Sequence, residues 1–189
     1  MDLQEAITNR RSVRKFTEHY VTNAELKQVL EAARYAPSWA NTQSWEFIVV
    51  RDREIITEIT ETYSESNPAR KCSLGASALI IGCAKKNFSG YKKGEQTTIF
   101  ADWFMFDLGL AVQNLCLKAH EVGLGTVIVG LMDHEKCKKI LQVPEEYEVV
   151  VSIPIGKPEE PVKKGTSRKE LKRFIHLDTF NSIYAAIDS

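Results

Sequence analysis

The segment from Phe100 to Leu131, FADWFMFDLGLAVQNLCLKAHEVGLGTVIVGL, constrains the fold of this chain more than any other. Between Trp103 and Leu117 nearly every residue is apolar, and the interruptions are Asp107, Gln113 and Asn114. A helix that is greasy around its whole circumference is expected to be buried on all sides. The run is too short and too interrupted to span a membrane. Gly123 and Gly125 stop it, and the β-branched run Thr126–Val129 follows and ends at Gly130. This pattern predicts a central helix, a tight turn and a short buried strand. One domain of this size seldom encloses a helix completely, so a second copy of the chain is expected to cover part of it.

The 189 residues suffice for a single domain, 1–189, with a sizeable core. Lys plus Arg and Asp plus Glu number 25 each, so the net charge is zero. No global field favours nucleic acid or an anionic membrane, and neither is expected as a partner. The N-terminal residues lack the basic and apolar regions of a signal peptide, which predicts a cytoplasmic protein. Cys72, Cys83, Cys116 and Cys137 are far apart and form no CxxC pair, so reduced thiols are expected rather than disulfides or a metal site.

Residues 2–9 read as a short helix capped by Asp2. Arg10, Arg11, Arg14 and Lys15 then place four cations in six residues, with Val13 and Phe16 as apolar anchors. Such a run is either a solvated basic turn or an anion site, to which Ser12 adds a hydroxyl donor. Thr22-Asn23-Ala24-Glu25 is a capping box that opens a helix ending before Pro37. The loop Ala36–Trp45 is rich in amides and hydroxyls and carries two tryptophans. Its Ser38, Asn41 and Gln43 suit the polar edge of a planar ligand, with a Trp against its face. The alternative is an ordinary turn whose tryptophans enter the core.

Trp45–Val50 reads as a strand, Asp52 as the start of an amphipathic helix to about residue 65, and Ala78–Ala84 as a buried central strand. Residues 85–96 are polar, contain Gly90 and Gly94, and read as a mobile loop or insertion. Asp133 caps a short helix on which His134 and Cys137 share a face, a weak metal signal without further partners. Glu148–Ile155 is a further strand. Residues 157–169 are expected to be extended, in a basic arm with Lys163, Lys164, Arg168, Lys169, Lys172 and Arg173. His176–Ser189 reads as a strand or arm followed by a short helix.

There is no GxSxG, Walker A sequence, HExxH or GxGxxG, and no histidine stands in a familiar catalytic pattern. An enzyme of this kind would take its reactive atom from a cofactor, leaving the protein to bind, orient and polarise it.

Arg10-Arg11-Ser12-Val13-Arg14, Ala36-Pro37-Ser38-Trp39-Ala40-Asn41-Thr42-Gln43-Ser44-Trp45-Glu46-Phe47, Asp107–Leu115 and Gly123–Gly130 occur in order along the chain. Val143–Tyr147, Ile155–Pro158 and Arg168 follow them. In motifs, order and spacing the chain resembles the FMN-dependent nitroreductase family, as one of its compact members. The resemblance implies an α+β fold, with a mixed, mostly antiparallel sheet surrounded by helices. It also implies an obligate homodimer with two FMN molecules at the interface and an exchanged C-terminal arm.

Carried over by position, Arg10, Arg11, Ser12, Arg14, Val129 and Gly130 would belong to the FMN site, with Arg168 at the phosphate. Pro37, Ser38, Asn41 and Gln43 would contact the flavin bound mainly by the other subunit. Where many relatives have Gln-Pro-Trp, this chain has Gln43-Ser44-Trp45. Arg70 and Lys71 are further possible contacts, and residues 85–101 take no role from the resemblance. The implied reaction passes hydride from NADH or NADPH through flavin N5 to an electron-poor small molecule, such as a nitroaromatic or quinone, with ping-pong kinetics. Arg14 would stabilise charge at N1/O2, and Trp39, Trp103 and Phe104 are candidate pocket walls. No side chain is assigned as nucleophile or general base, and no metal is implied. The alternatives are a specialised dehalogenase or ene-type reductase of the same fold, and an FMN-binding protein without nicotinamide turnover.

Overall fold

A computed structural model describes residues 1–159 and 165–182. The elements run α1 (Leu3–Asn9), α2 (Asn23–Arg34), β1 (Trp45–Val50), α3 (Arg53–Glu61), α4 (Ala69–Leu74), β2 (Ala78–Lys85), β3 (Tyr91–Lys92), β4 (Glu95–Gln96), α5 (Trp103–Glu121), β5 (Gly125–Thr126), α6 (His134–Ile140) and β6 (Tyr147–Gly156). Short 3₁₀ turns occupy Trp39–Asn41 and Leu171–Arg173. The architecture is α+β, with a four-stranded sheet in the order β1-β2-β6-β5. Every ladder in it is antiparallel. Among the described residues, parallel pairing enters only as a bridge from Ser12 to Thr126.

Local chemistry sets the element starts. Asp2 accepts the Glu5 N–H, Asp52 those of Glu54 and Ile55, and Asp133 that of Lys136. Thr22 and Glu25 form a complete capping box at the start of α2. β2 is buried along nearly its whole length because helices cover both sheet faces. Ile80 and Ala84 face one core with Leu108, Val112 and Leu115 of α5 and Val29 of α2. Leu79, Ile81 and Cys83 face the other, with Ile56, Ile59 and Cys137. This alternation follows from the two-residue period of a strand. All four cysteines are free and buried. Burial pushes the Cys83 and Cys137 thiols up to about 12.

Several sequence expectations change. The helix after Asp52 ends at Glu61, because Tyr63 turns into the core and bridges Met132. A short helix, α4, follows Pro68 where only a break is legible in the sequence. Residues 85–96 include a small β3–β4 hairpin with Tyr91 opposite Gln96. Only Gly125–Thr126 of the β-branched run forms a strand, although Val129 returns to β6 by bridging Ser152. As expected, one domain does not enclose the central helix: Met105, Phe106, Gly109 and Gln113 form an exposed stripe, with Phe106 at 60% exposure. Residues 157–159 and 165–169 contain no helix, as expected. Lys163, Lys164 and the terminal helix expected within 183–189 lie outside the described residues.

Candidate functional site

A basic strap runs along the β5 edge of the sheet. After α1, Ser12 bridges Thr126 and the Val13 N–H donates to the Thr126 carbonyl at 2.9 Å. Val13 is buried against Gly125, which leaves Arg11 and Arg14 on the outer side. The Arg11 Nη1 donates to the carbonyls of Thr8 and Arg10. Among the described residues, the Arg14 guanidinium hydrogen-bonds only the Ser12 carbonyl, at 3.5 Å. Among the described residues, Arg10, Arg11 and Arg14 form no ion pair. Cations left without carboxylates on one strap favour an external anion.

Neighbouring groups register these charges. Burial holds the His120 imidazole below its ordinary range, and Arg10 and Arg11 push it the same way. Its Nε2 is buried and meets no partner among the described residues. Burial raises the Cys72 thiol, while nearby Arg14 partly opposes that shift. Arg70 and Lys71 lie on α4 beside Cys72. Arg70 donates to the Tyr63 carbonyl, and Lys71 is exposed. Beyond the strap, Gly165 rests directly on the Arg11 side chain. That contact brings the arm within three residues of Arg168, which is exposed and, among the described residues, bonded only to Thr166.

The Val129–Gly130 backbone leaves β5 on the same strand segment. Val129 is buried and exchanges backbone hydrogen bonds with Ser152 at 2.8 and 2.9 Å. Gly130 is exposed, with no atom within 4 Å of the position its Cβ would take. Both ring nitrogens of His134 meet backbone carbonyls: Nε2 that of Gly130 at 3.0 Å and Nδ1 that of Val149 at 2.9 Å. The turn is thus pinned from behind and open in front. His134 spends its nitrogens on these carbonyls and not on a shared ligand with Cys137, which is buried in the core.

A second group surrounds the start of α5. In the 38–43 loop, Ala40, Asn41 and Gln43 hold positive φ values of 45°, 56° and 48°. Three consecutive-range residues without glycine in the left-handed region are costly and must be held by their surroundings. The Ser38 hydroxyl accepts the Gln43 N–H at 2.9 Å, and Gln43 Nε2 donates to Asn41 Oδ1 at 3.2 Å. Pro37, Asn41 and Gln43 are exposed beside them. Asp107, 0% exposed, anchors the loop by accepting the Trp39 N–H at 3.0 Å and the Thr42 hydroxyl at 3.4 Å. Trp103 is half-buried, packs edge-to-face with Phe100 and Phe106, and donates from Nε1 to Thr98. Phe104 turns inward and belongs to the core, so its ring is taken up by packing with Leu108 and Ile80 rather than offered to a pocket. Asp107 was visible in the sequence only as an interruption of a greasy helix. A lone carboxylate at such a position is the signal that marks it.

Among the described residues, no hydrogen bond or ion pair joins the strap to the 38–43 loop. The protomer thus gathers Arg10, Arg11, Ser12, Arg14, Val129, Gly130 and the arm in one place, and Pro37, Ser38, Trp39, Asn41, Gln43 and Trp103 in another.

A profile of the Nitroreductase family matches residues 7–157, from α1 through the end of β6. The chain belongs to the nitroreductase family. It is similar to a protein of Archaeoglobus fulgidus named provisionally as an NADH dehydrogenase/NAD(P)H nitroreductase, with 31% identity covering 82% of this chain and 84% of that one. It is also similar to the FMN reductase (NADPH) of Bacillus subtilis, with 26% identity over 94% of this chain and 74% of the relative. Among solved structures, the FMN-dependent nitroreductase of Clostridium difficile superposes with a TM-score of 0.78 at 25% identity, covering 94% of this chain and all of that one. The α+β architecture described above is the nitroreductase fold.

Proposed function

We propose that this nitroreductase-family chain is a homodimeric, FMN-dependent oxidoreductase that takes hydride from NADH or NADPH and delivers it to an electron-poor acceptor such as a nitroaromatic or quinone. The observation that carries this reading is a strap of arginines without ion pairs among the described residues, paired to Thr126 on the segment that leads to the bare, exposed Gly130 backbone. Both halves fit an FMN: cations for its phosphate, and an uncovered peptide edge against which a flat ring can lie. The buried, unpartnered Nε2 of His120 beside the same arginines fits an anionic ligand too.

Bound FMN would supply the two-electron chemistry, accepting hydride from a nicotinamide and passing it to the second substrate in a ping-pong sequence. The protein's part is electrostatic and positional. Arg10, Arg11 and Ser12, with Arg168 from the arm, would hold the phosphate end. Arg14 would offer a fixed positive charge to a ring that gains negative charge, and a preorganised cation needs little reorganisation as that happens. Val129 and Gly130 would offer their backbone to the ring. No side chain acts as a nucleophile.

The separation of the two residue groups within one protomer supports a site completed by a second copy, with Pro37, Ser38, Asn41 and Gln43 reaching the partner's flavin. The exposed apolar surface at the start of α5 supports the same reading. Ile99 is 88% exposed and Phe100, Met105 and Phe106 all exceed half, a contiguity that isolated monomers seldom carry. The outer edge of β1, unpaired among the described residues, offers a place for a partner's arm.

Anaerobic addition of NADH or NADPH to FMN-saturated protein tests the reading. Bleaching of the flavin band, followed by recovery on adding a nitroaromatic or quinone, is expected. Saturated protein that neither nicotinamide bleaches is not a nicotinamide oxidoreductase. Reduction without recovery, except by a halogenated phenol or an activated alkene, moves the chain to a specialised reductase of the same fold.

A further inference from the structure

Asp107 is a fully buried carboxylate that no Lys or Arg neutralises among the described residues. Burying a charge without a counter-ion is expensive unless hydrogen bonds satisfy it. Three do, from two separate loops. The Trp39 N–H meets Oδ1 at 3.0 Å and the Thr42 hydroxyl meets Oδ2 at 3.4 Å, both from the 38–43 loop. The Ser89 hydroxyl donates to Oδ2 at 2.5 Å from the turn that leads into the β3–β4 hairpin. Ser89 is itself 0% exposed.

A carboxylate suits this position, because its two oxygens accept all three bonds without donating. An amide could keep them only by turning its NH₂ towards Ser89 and Thr42 with both hydroxyls reversed to accept, and the bonds would lose their charge assistance. Both loops also need holding. The 38–43 loop carries three left-handed residues that are not glycine. The hairpin is seated on α5 by two further contacts. Trp103 Nε1 donates to Thr98 at 2.6 Å, and a Cβ on Gly90 would lie 2.5 Å from Trp103 Cδ1. The Gly90 carbonyl in turn accepts the N–H and hydroxyl of Thr97, at 2.9 and 2.7 Å.

We propose that Asp107 is a positioning residue that couples the 38–43 loop to the 85–98 hairpin, so that the flavin-facing loop is set, through one carboxylate, by the hairpin. The assignment of the loop to flavin rests on the function proposed above; the mechanical coupling does not. Removing Ser89 from the carboxylate frees Asp107 to shift its remaining bonds, so a change in the hairpin is felt in the 38–43 loop without any direct contact between them.

Two variants of the whole chain test this, Ser89→Ala and Asp107→Asn, with hydrogen exchange read first on the protein with and without added FMN. Coupling predicts that Ser89→Ala accelerates exchange of the Trp39 and Gln43 amides on the order of tenfold, the effect of losing one strong charge-assisted bond. Unchanged exchange at 39–43 in Ser89→Ala overturns the coupling, whatever the flavin does. Ser89→Ala should raise the FMN Kd several-fold, and Asp107→Asn should raise it further. Adding Ser89→Ala to Asp107→Asn should then cost little more. A purely structural role would instead lower the melting temperature of both variants with the FMN Kd unmoved, and that result overturns the positioning role. Wild-type protein that binds no FMN defeats the flavin assignment alone, because the exchange comparison still decides the coupling.

Discussion

The Val13 side chain fills the space that a Cβ on Gly125 would need, with Cγ2 2.6 Å from that position. The basic strap therefore lies flat on β5 only because residue 125 has no side chain. Gly125→Ala should destabilise the fold by about 1–3 kcal/mol, the usual cost of overpacking, and weaken FMN binding by lifting Arg11 to Arg14 away from the sheet. Shortening Val13 to Ala in the same chain should recover part of both losses. Urea unfolding and FMN titration of the single and double variants measure the recovery, and none is expected if the strap and β5 are independent.

Arg14 and Arg168 should separate by what they lose. Arg14→Ala should lower the flavin reduction potential, because the reduced, more negative ring loses its nearest cation; dye-equilibrated potentials measure this. Arg168→Ala should leave the potential unchanged and weaken FMN by roughly tenfold, the worth of a charge-assisted hydrogen bond. Riboflavin, which lacks the phosphate, should bind both the Arg168 variant and the wild type alike.

His120 gives stability a pH dependence of known sign. Its folded-state pKa is lowered, so the unfolded chain takes up a proton first as pH falls. The stabilisation is present above the unfolded value of about 6.5 and is lost as pH drops below that value and through the lowered folded one. His120→Gln should flatten this limb in urea midpoints measured from pH 7 to 5. Glu25 acts at lower pH: the Thr22 hydrogen bonds lower its pKa, so its contribution fades only as the carboxylate protonates. Bound FMN should move the His120 titration upward, because a phosphate would offset Arg10 and Arg11; NMR of the ring protons reads it.

Phe106 should be dispensable to the protomer and essential to the pair. It is 60% exposed, so Phe106→Glu should leave the circular dichroism of the fold intact. The variant should sediment as a monomer and lose most of its FMN affinity. A dimer that survives Phe106→Glu with full flavin content places the interface elsewhere.

The scaffold was largely legible because its signals are local. Caps at Asp2, Thr22, Asp52 and Asp133 announce four helices, and the apolar run Ala78–Ala84 announces the central strand. The greasy helix was legible in position and in being only partly covered by its own domain, but not in which residues stay uncovered. Sequence shows that Met105 and Phe106 are apolar, whereas only the packing of α2 and β2 shows that they face outward. The strap was legible as charge, while its anchorage depends on Val13 meeting Gly125, a contact between residues more than a hundred positions apart. Asp107 was the hardest to read. Its three donors come from positions 39, 42 and 89, and no spacing rule connects those positions to a helix that begins at Trp103.

The cover over the four cysteines has a consequence for durability in service. Peroxide attacks thiolate rather than thiol. With Cys83 and Cys137 pushed up to about 12 by burial, both groups stay as thiols at neutral pH. Their loss to sulfenic acid is then limited by how often the core opens. The same packing that fills the space under β2 thus shields these two side chains from oxidants.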